Sequence, residues 1–426
     1  VAHLPDARPA LGGGRVIQGA PPRVTYTRRV FPFYLILAAI GLADLGWWRW
    51  ADNRLRPLRR SRLWRSLLTV SIAPQLLYLA YFIVAPRSSR RVHSWAVPTS
   101  LLAGFYLWSL IVLPASLIAA GIGRATAALV RRTPPAPSND GITCRQMLSA
   151  AAVAVPPLLT AAGVLRAVPQ LSTFRVRRMH LAIPGLPADL DGITIAHVSD
   201  LHLGRFTRPG FVPKVADAPN ALRAELVLFT GDLIDLSIDD LPRGIEFLGR
   251  LDPRSGLAII EGNHDLIDDA DAFDDGVRAA GFPLLIDEAT TVRVRGRPVQ
   301  LLGTRWGMAT GDRRRAGPAA FAASVAALSP LRDPDAFPIL MAHHPHAWDP
   351  AVAAGFPLVL AGHTHGGQLM LTDHVGAGPA FYRYWSGRYA RSGSQLVVSN
   401  GVGNWFPLRV NAPAEIIHLT LHPATA

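Results

Sequence analysis

The chain has 426 residues, 50% of them hydrophobic, with one cysteine (Cys144) and a formal net charge of +13. That length requires more than one folded unit, and a single cysteine excludes both an internal disulfide and a cysteine-based zinc site. The charge is divided: 23 Arg against 4 acids over residues 1–178, but 20 basic against 26 acidic residues over 179–426. The positive excess therefore lies between apolar stretches, as in membrane-flanking loops, and not on a polar folded domain as in a nucleic-acid binder.

Residues 1–29 are rich in Pro, Gly and Arg, lack periodicity and read as a disordered tail. Residues 30–168 read as a transmembrane region of about four helices. Phe31 to Trp48 is apolar except for Asp44, and Ser66 to Ala85 carries no charge. Twenty such residues at ~1.5 Å each span the hydrocarbon core. Ser94 to Gly123 is uncharged and holds a third span, Ser100 to Ala120. Gln146 to Leu165 is an Ala-rich fourth candidate, interrupted by Pro156 and Pro157. Trp47, Trp48, Trp50, Trp64 and Trp95 crowd the span ends, as in an aromatic belt. Residues 169–190 read as a linker, and 191–426 as a soluble domain.

From Gly192 the texture changes to short apolar runs alternating with helical stretches, the mark of an α/β fold. Five runs end in groups that bind cations. Ile193–Val198 leads into Asp200 and His202. Leu226–Phe229 leads into Asp232 and Asp235. Leu257–Ile260 leads into Asn263, His264 and Asp265. Ile339–Ala342 leads into His343 and His344, and Leu358–Ala361 into Gly362-His363-Thr364-His365-Gly366-Gly367-Gln368. Each cluster alone is also ordinary turn or cap chemistry. Five together, all at the carboxyl ends of strands where α/β folds place their sites, point to one metal centre. Side-chain alternation along an extended segment would aim His363 and His365 at a single point.

Imidazole, carboxylate and amide oxygen suit Mn, Fe or Zn better than an all-oxygen calcium site. A shared carboxylate can hold two such ions about 3.5–4 Å apart, acidify a water and stabilise an in-line phosphoryl transition state. A nearby histidine that is not a ligand can protonate the leaving oxygen.

The order Asp-x-His, Gly-Asp-x-x-Asp, Gly-Asn-His-Asp, His-x-Pro, Gly-His-Thr-His over about residues 190–420 resembles the calcineurin-like metallophosphoesterases, and most of all their membrane-anchored bacterial branch. Gly387-Arg388-Tyr389, Ser399 to Gly403, Arg409 and Glu415 resemble that branch's closing segment; Asn400 stands where an arginine is common and Ala414 where a proline is common. The resemblance implies a two-sheet β sandwich flanked by helices. It also implies two divalent metal ions: Asp200, His202 and His365 on the first, Asn263, His343 and His363 on the second, and Asp232 bridging. His264 is implied as general acid, oriented by Asp265, while Asp235 steadies the loop after Asp232.

The expected activity is hydrolysis of a phosphate ester or pyrophosphate, with lipid-linked substrates included because the domain adjoins a bilayer. Nucleotide, cyclic-nucleotide or UDP-diacylglucosamine-type pyrophosphate substrates are alternatives. A silent metal- or partner-binding domain is the non-enzyme alternative, and the complete ligand set with His264 argues against it. No nucleic-acid binding is expected. Arginine counts in the loops place the first and third inside, which puts the C-terminal domain outside the cytoplasm. A topology reporter fused to the C-terminus should therefore read extracytoplasmic; a cytoplasmic signal reverses the orientation.

Overall fold

The computed structural model describes residues 26–56, 61–84, 98–129, 144–307 and 316–424. The N-terminal part is helical: α1 (Tyr26–Leu55), α2 (Ser61–Val84), α3 (Thr99–Leu107) running through a π-helical turn at Trp108–Val112 into α4 (Leu113–Leu129), and α5 (Cys144–Gln170). Helix α1 begins inside the expected tail, and residues 1–25 lie outside the described residues. So do Trp95 and several of the loop arginines that carry the orientation argument, among them Arg59, Arg60, Arg87, Arg90, Arg91, Arg131 and Arg132.

Among the described residues, two helical stretches are long and apolar enough to cross a membrane by length and composition, Thr99–Gly123 and Ala150–Gln170. The expected third and fourth spans lie largely within them, and Pro156 and Pro157 are accommodated inside α5. Helix α1 takes in the first expected span, Phe31 to Trp48, and α2 all but the last residue of the second, Ser66 to Ala85. They carry charges that are spent on one another. The buried Asp44 accepts a hydrogen bond from Trp108 Nε1 at 2.5 Å. Asp52 meets Arg65 at 2.5 Å and Arg56 at 3.2 Å, which ties α1 to α2.

The remainder is α/β. One sheet has five strands in the order β1-β13-β2-β3-β4, and another has six in the order β11-β12-β8-β7-β6-β5. In the first, β1 (Arg175–Ile183) runs parallel to β13 (Glu415–Pro423), which is antiparallel to β2 (Ile193–Val198); β3 (Leu226–Thr230) and β4 (Gly256–Ile260) follow in parallel. In the second, β6 (Arg297–Gly303), β7 (Phe337–Met341), β8 (Leu358–Ala361) and β12 (Ser394–Val398) are parallel. The antiparallel edges are β5 (Glu288–Val294) and β11 (Gly387–Arg391). Five of these strands are the five apolar runs read from the sequence, to within two residues. β3 and β8 are buried at every position, as befits central strands covered on both faces.

One cluster of buried side chains takes Ile193, Ile195, Leu226 and Leu228 from the first sheet and Ile339, Met341, Leu358 and Leu360 from the second, so the inner faces share a core. Two further clusters pack helices onto the outer faces, one around Phe229, Phe247 and Phe273, the other around Phe321, Trp348 and Phe356.

The expected linker at 169–190 is corrected: β1 lies within it and pairs with β13 over nine residues. Its register hides it in the sequence, since its first half presents Arg175, Arg177 and Arg178, and only Leu181 and Ile183 are fully buried. A chain cut to start at residue 191 loses both side chains, each worth about 1.5–3 kcal/mol of burial, and bares the edge of β13. It should aggregate, whereas a chain starting at 171 should elute as a monodisperse species on gel filtration. Equal solubility of the two would show β1 to be dispensable.

Candidate metal centre

The carboxyl ends of β2, β3, β4, β7 and β8 converge, and the backbone there is unusual. Eleven non-glycine residues among those described have positive φ, and five are Asp200, His202, Asp232, His363 and His365. Such conformations cost roughly 1–3 kcal/mol each and persist only where the surroundings impose them. Here the surroundings are tight. A Cβ on Gly362 would collide with Ser199 Oγ and Asp200 Oδ2, and one on Gly262 with the Asp232 carboxylate. Only glycine lets these turns close over the carboxylates.

Two groups of donors result. Asp200, His202 and His365 bring one ligand atom each to within 4.8 Å of one another, and so do Asp232, His343 and His363. Nε2 of His202 lies 3.0 Å from Nε2 of His365. In the second group Asn263 Oδ1 lies 2.9 Å from His363 Nδ1 and 3.2 Å from His343 Nε2. Asp232 spans the two, with Oδ2 3.1 Å from His343 Nε2 and 3.4 Å from His202 Nε2. His363 and His365 thus diverge, one to each group. Their left-handed backbone, φ +70 and +51, cancels the alternation expected of an extended segment.

Nearly every group here is buried; His264, Asn263 and His363 are the more open ones. Burial disfavours charge on His202, yet Asp232, Asp200 and Asp235 push it up to about 10. His343 is likewise pushed up to about 9, mainly by Asp232. Burial and the neighbouring His343 drive His363 down to about 3. Burial would raise Asp232, but His343, His264 and His202 hold it well below the usual carboxylate range. The centre attracts positive charge at its carboxylates and leaves imidazole nitrogens facing one another. A divalent cation in each group fits that donor set, which mixes nitrogen and oxygen in the manner of Mn, Fe or Zn.

Hydrogen bonds fix the rings. His343 Nδ1 donates to the Thr230 carbonyl at 2.6 Å, leaving Nε2 free to face Asp232. His264 stands beside this machinery with its backbone N–H on Asp232 Oδ1 at 2.8 Å. Its ring is not oriented by Asp265. Nδ1 lies 3.0 Å from both the carboxylate and the carbonyl of Asp235. Asp265 instead accepts from the backbone N–H groups of Asp232, Gly262 and Ile234 at 2.8–3.0 Å, and so holds the two loops together. The reason is direction: the turn at Gly262–Asp265 aims the Asp265 carboxylate inward, while Asp235 lies under the His264 ring.

Residues 193–367 match the family model described as calcineurin-like phosphoesterase. This part of the chain belongs to that family. The chain is 28% identical over 263 residues to an uncharacterized metallophosphoesterase of Aquifex aeolicus, an alignment covering 61% of this chain and 97% of that one. It is 26% identical over 234 residues to phosphodiesterase YaeI of Escherichia coli, covering 53% of this chain and 81% of that one. A transmembrane protein with metallophosphoesterase domain from Danio rerio is 26% identical over 280 residues, covering 59% of this chain and 58% of that one. The phosphoesterase domain is a metal-dependent phosphoester hydrolase.

Nothing in the sequence marked two tryptophans at the centre. Trp306 packs on His343 and His363, with ring centroids 5.3 and 5.0 Å apart. Trp405, 43% exposed, lies 5.9 Å from His264 and 6.5 Å from His365. Arg409, a buried guanidinium, reaches Nδ1 of His365 at 3.0 Å and three backbone carbonyls. His344 stacks on Phe321 at 4.8 Å and caps the following turn.

Asp235 also lies 3.6 Å from Nδ1 of His202, so one carboxylate backs two histidines. Asp235→Ala should lower activity or metal affinity by about 10–100-fold, the usual cost of losing such a support. Turnover together with chelator competition measures it. Unchanged values in both would detach Asp235 from the centre.

Proposed function

We propose that the chain is a membrane-attached, dimetal phosphohydrolase of the phosphodiesterase type. One observation carries the reading: a single oxygen of Asp232 lies within 3.4 Å of ring nitrogens from both donor groups. Asp200, His202 and His365 would hold one ion, Asn263, His343 and His363 the other, and Asp232 would bridge. Two divalent ions there would polarise a phosphoryl oxygen and acidify a water. The rest falls to the protein's own side chains. The Asp235 carboxylate and carbonyl, each 3.0 Å from Nδ1 of His264, orient its ring, so that Nε2 can serve the leaving oxygen as proton donor. Trp306 and Trp405 exclude water from either side of the centre. Membrane attachment is supported by the two apolar helical stretches and by the printed name of the Danio rerio relative. Phosphate diesters are the favoured substrates, in line with the printed name of the Escherichia coli relative. Lipid-linked esters and pyrophosphates become accessible to an enzyme held at a bilayer.

In the purified full chain, Asp232→Asn should abolish Mn-stimulated hydrolysis of a chromogenic phosphodiester while circular dichroism stays unchanged, and EDTA should do the same to the parent. Retained turnover in the variant would sink the bridging role. His264→Ala should keep its metal and slow turnover by ~10²–10⁴-fold; loss of metal instead would make His264 a ligand, as its place beside His202 and Asp232 would also permit.

A further inference from the structure

Behind the metal loop lies a second concavity that the hydrolytic chemistry does not use. It is a cavity of about 1250 Å³ whose walls include Arg166, Arg175, Arg177, Arg388 and the back of the loop at Gly366. Arg166 lies in α5 four residues before its end, near the end of the stretch Ala150–Gln170 that is apolar enough to cross a membrane. Arg175 and Arg177 follow on β1, and Arg388 comes from β11. The fold brings Arg177 against this strand, since a Cβ on Gly387 would sit 3.1 Å from its Nη2.

Only part of this charge is spent internally. The buried Glu415 takes Arg175 at 2.8 Å and, more loosely, Arg177 at 3.5 Å. Among the described residues, the Arg166 side chain meets only the neutral Asn411, at 3.1 Å. Arg388 is exposed and has no partner among the described residues. Asp373 is the one acidic side chain on the wall. Four guanidiniums against two carboxylates leave room for an anion.

A second feature points the same way. The wall opposite α5 is the hairpin β9 (Met370–Thr372) and β10 (Val375–Gly376), followed by a short helix, Ala377–Phe381. Leu371, on the hairpin, is 77% exposed, and Phe381, at the end of the helix that follows, is 78% exposed. Asn411 ties that hairpin to α5, donating to the carbonyls of Met370 and Leu371 and accepting from Arg166. Apolar side chains standing out beside a basic hollow, at the end of a membrane-crossing stretch, are how proteins take anionic headgroups at a bilayer surface.

We propose that this cavity is an anion site for a phosphate-bearing group, separate from the metal centre and sharing with it only the wall at Gly366. The phosphate can belong to an anionic phospholipid headgroup or be free in solution; the lipid source rests on the membrane attachment proposed above. Guanidiniums suit such a ligand because their paired N–H groups match phosphate oxygens.

Calorimetric titration of the purified full chain in neutral detergent tests it, with short-chain phosphatidylglycerol, short-chain phosphatidylcholine and inorganic phosphate as probes. Phosphatidylglycerol or phosphate should bind, phosphatidylcholine should not, and Arg388→Gln and Arg166→Gln should each weaken binding about tenfold with melting temperature unchanged. Binding by phosphatidylglycerol alone identifies the lipid source, and binding by phosphate alone the soluble one. Asp232→Asn guards against phosphate held at the metals: binding that vanishes in Asp232→Asn yet persists in Arg388→Gln overturns the proposal. Equal binding of the two lipids overturns it as well. Release of the chain from carbonate-washed membranes would overturn membrane attachment and leave the phosphate titration to stand or fall alone.

Discussion

The structure depends on keeping two carboxylates, Asp200 and Asp232, in the interior beside each other. Both are essentially unexposed. Two like charges in that setting repel and lose hydration, a cost that burial alone never repays. The surroundings answer with imidazoles from His202, His343 and His365 and with backbone donors. His363 N–H reaches Asp200 at 3.0 Å and His264 N–H reaches Asp232 at 2.8 Å. A divalent cation in each donor group would complete the balance. The strained turns at the strand ends serve the same end, because a left-handed backbone points side chain and amide inward together. The shared core between the sheets supplies the rigidity that holds them there.

That centre was legible in the sequence because its ligands follow apolar runs too short and too apolar to be anything but buried strands. Leu226 to Thr230 needs no partner to be read, and Gly231-Asp232 follows at once. Connectivity over long range was not legible. β1 is a strand because β13, some 240 residues later, offers it an edge, and the arginines of β1 gave no hint of that. Direction was lost too. A sequence puts Asp265 next to His264, but neighbours in sequence seldom face each other in a turn; Asp235, 29 residues earlier, faces it instead. The two histidines of the glycine loop were read as cation donors, and the structure sets one in each donor group where an extended geometry would have sent both to one point.

The apolar N-terminal part shows what hydropathy leaves out. Hydropathy marks uncharged stretches, yet says nothing of charges that meet within a bundle. Asp44 finds the Trp108 indole 64 positions away, and Asp52 finds Arg65 on the next helix. Such pairs stitch α1 and α2 to each other and to the helix beyond them. A window average cannot show such pairs, because the information lies in which residues face each other.

The same logic links the helices to the chemistry. Trp405 stands beside His264, while the next residue, Phe406, packs on Tyr106 of α3 at 4.9 Å. Leu408 is buried against Ala103 and Ala167, and Arg409, one residue on, reaches His365. Within five residues the chain passes from the mouth of the centre to the helix bundle and back to a metal-facing ring. A segment so short cannot shift at one end without moving the other, since packed side chains adjust by discrete rearrangement and not by gradual bending. The helices are therefore more than a tether: their packing helps determine where Trp405 and the His365 ring sit.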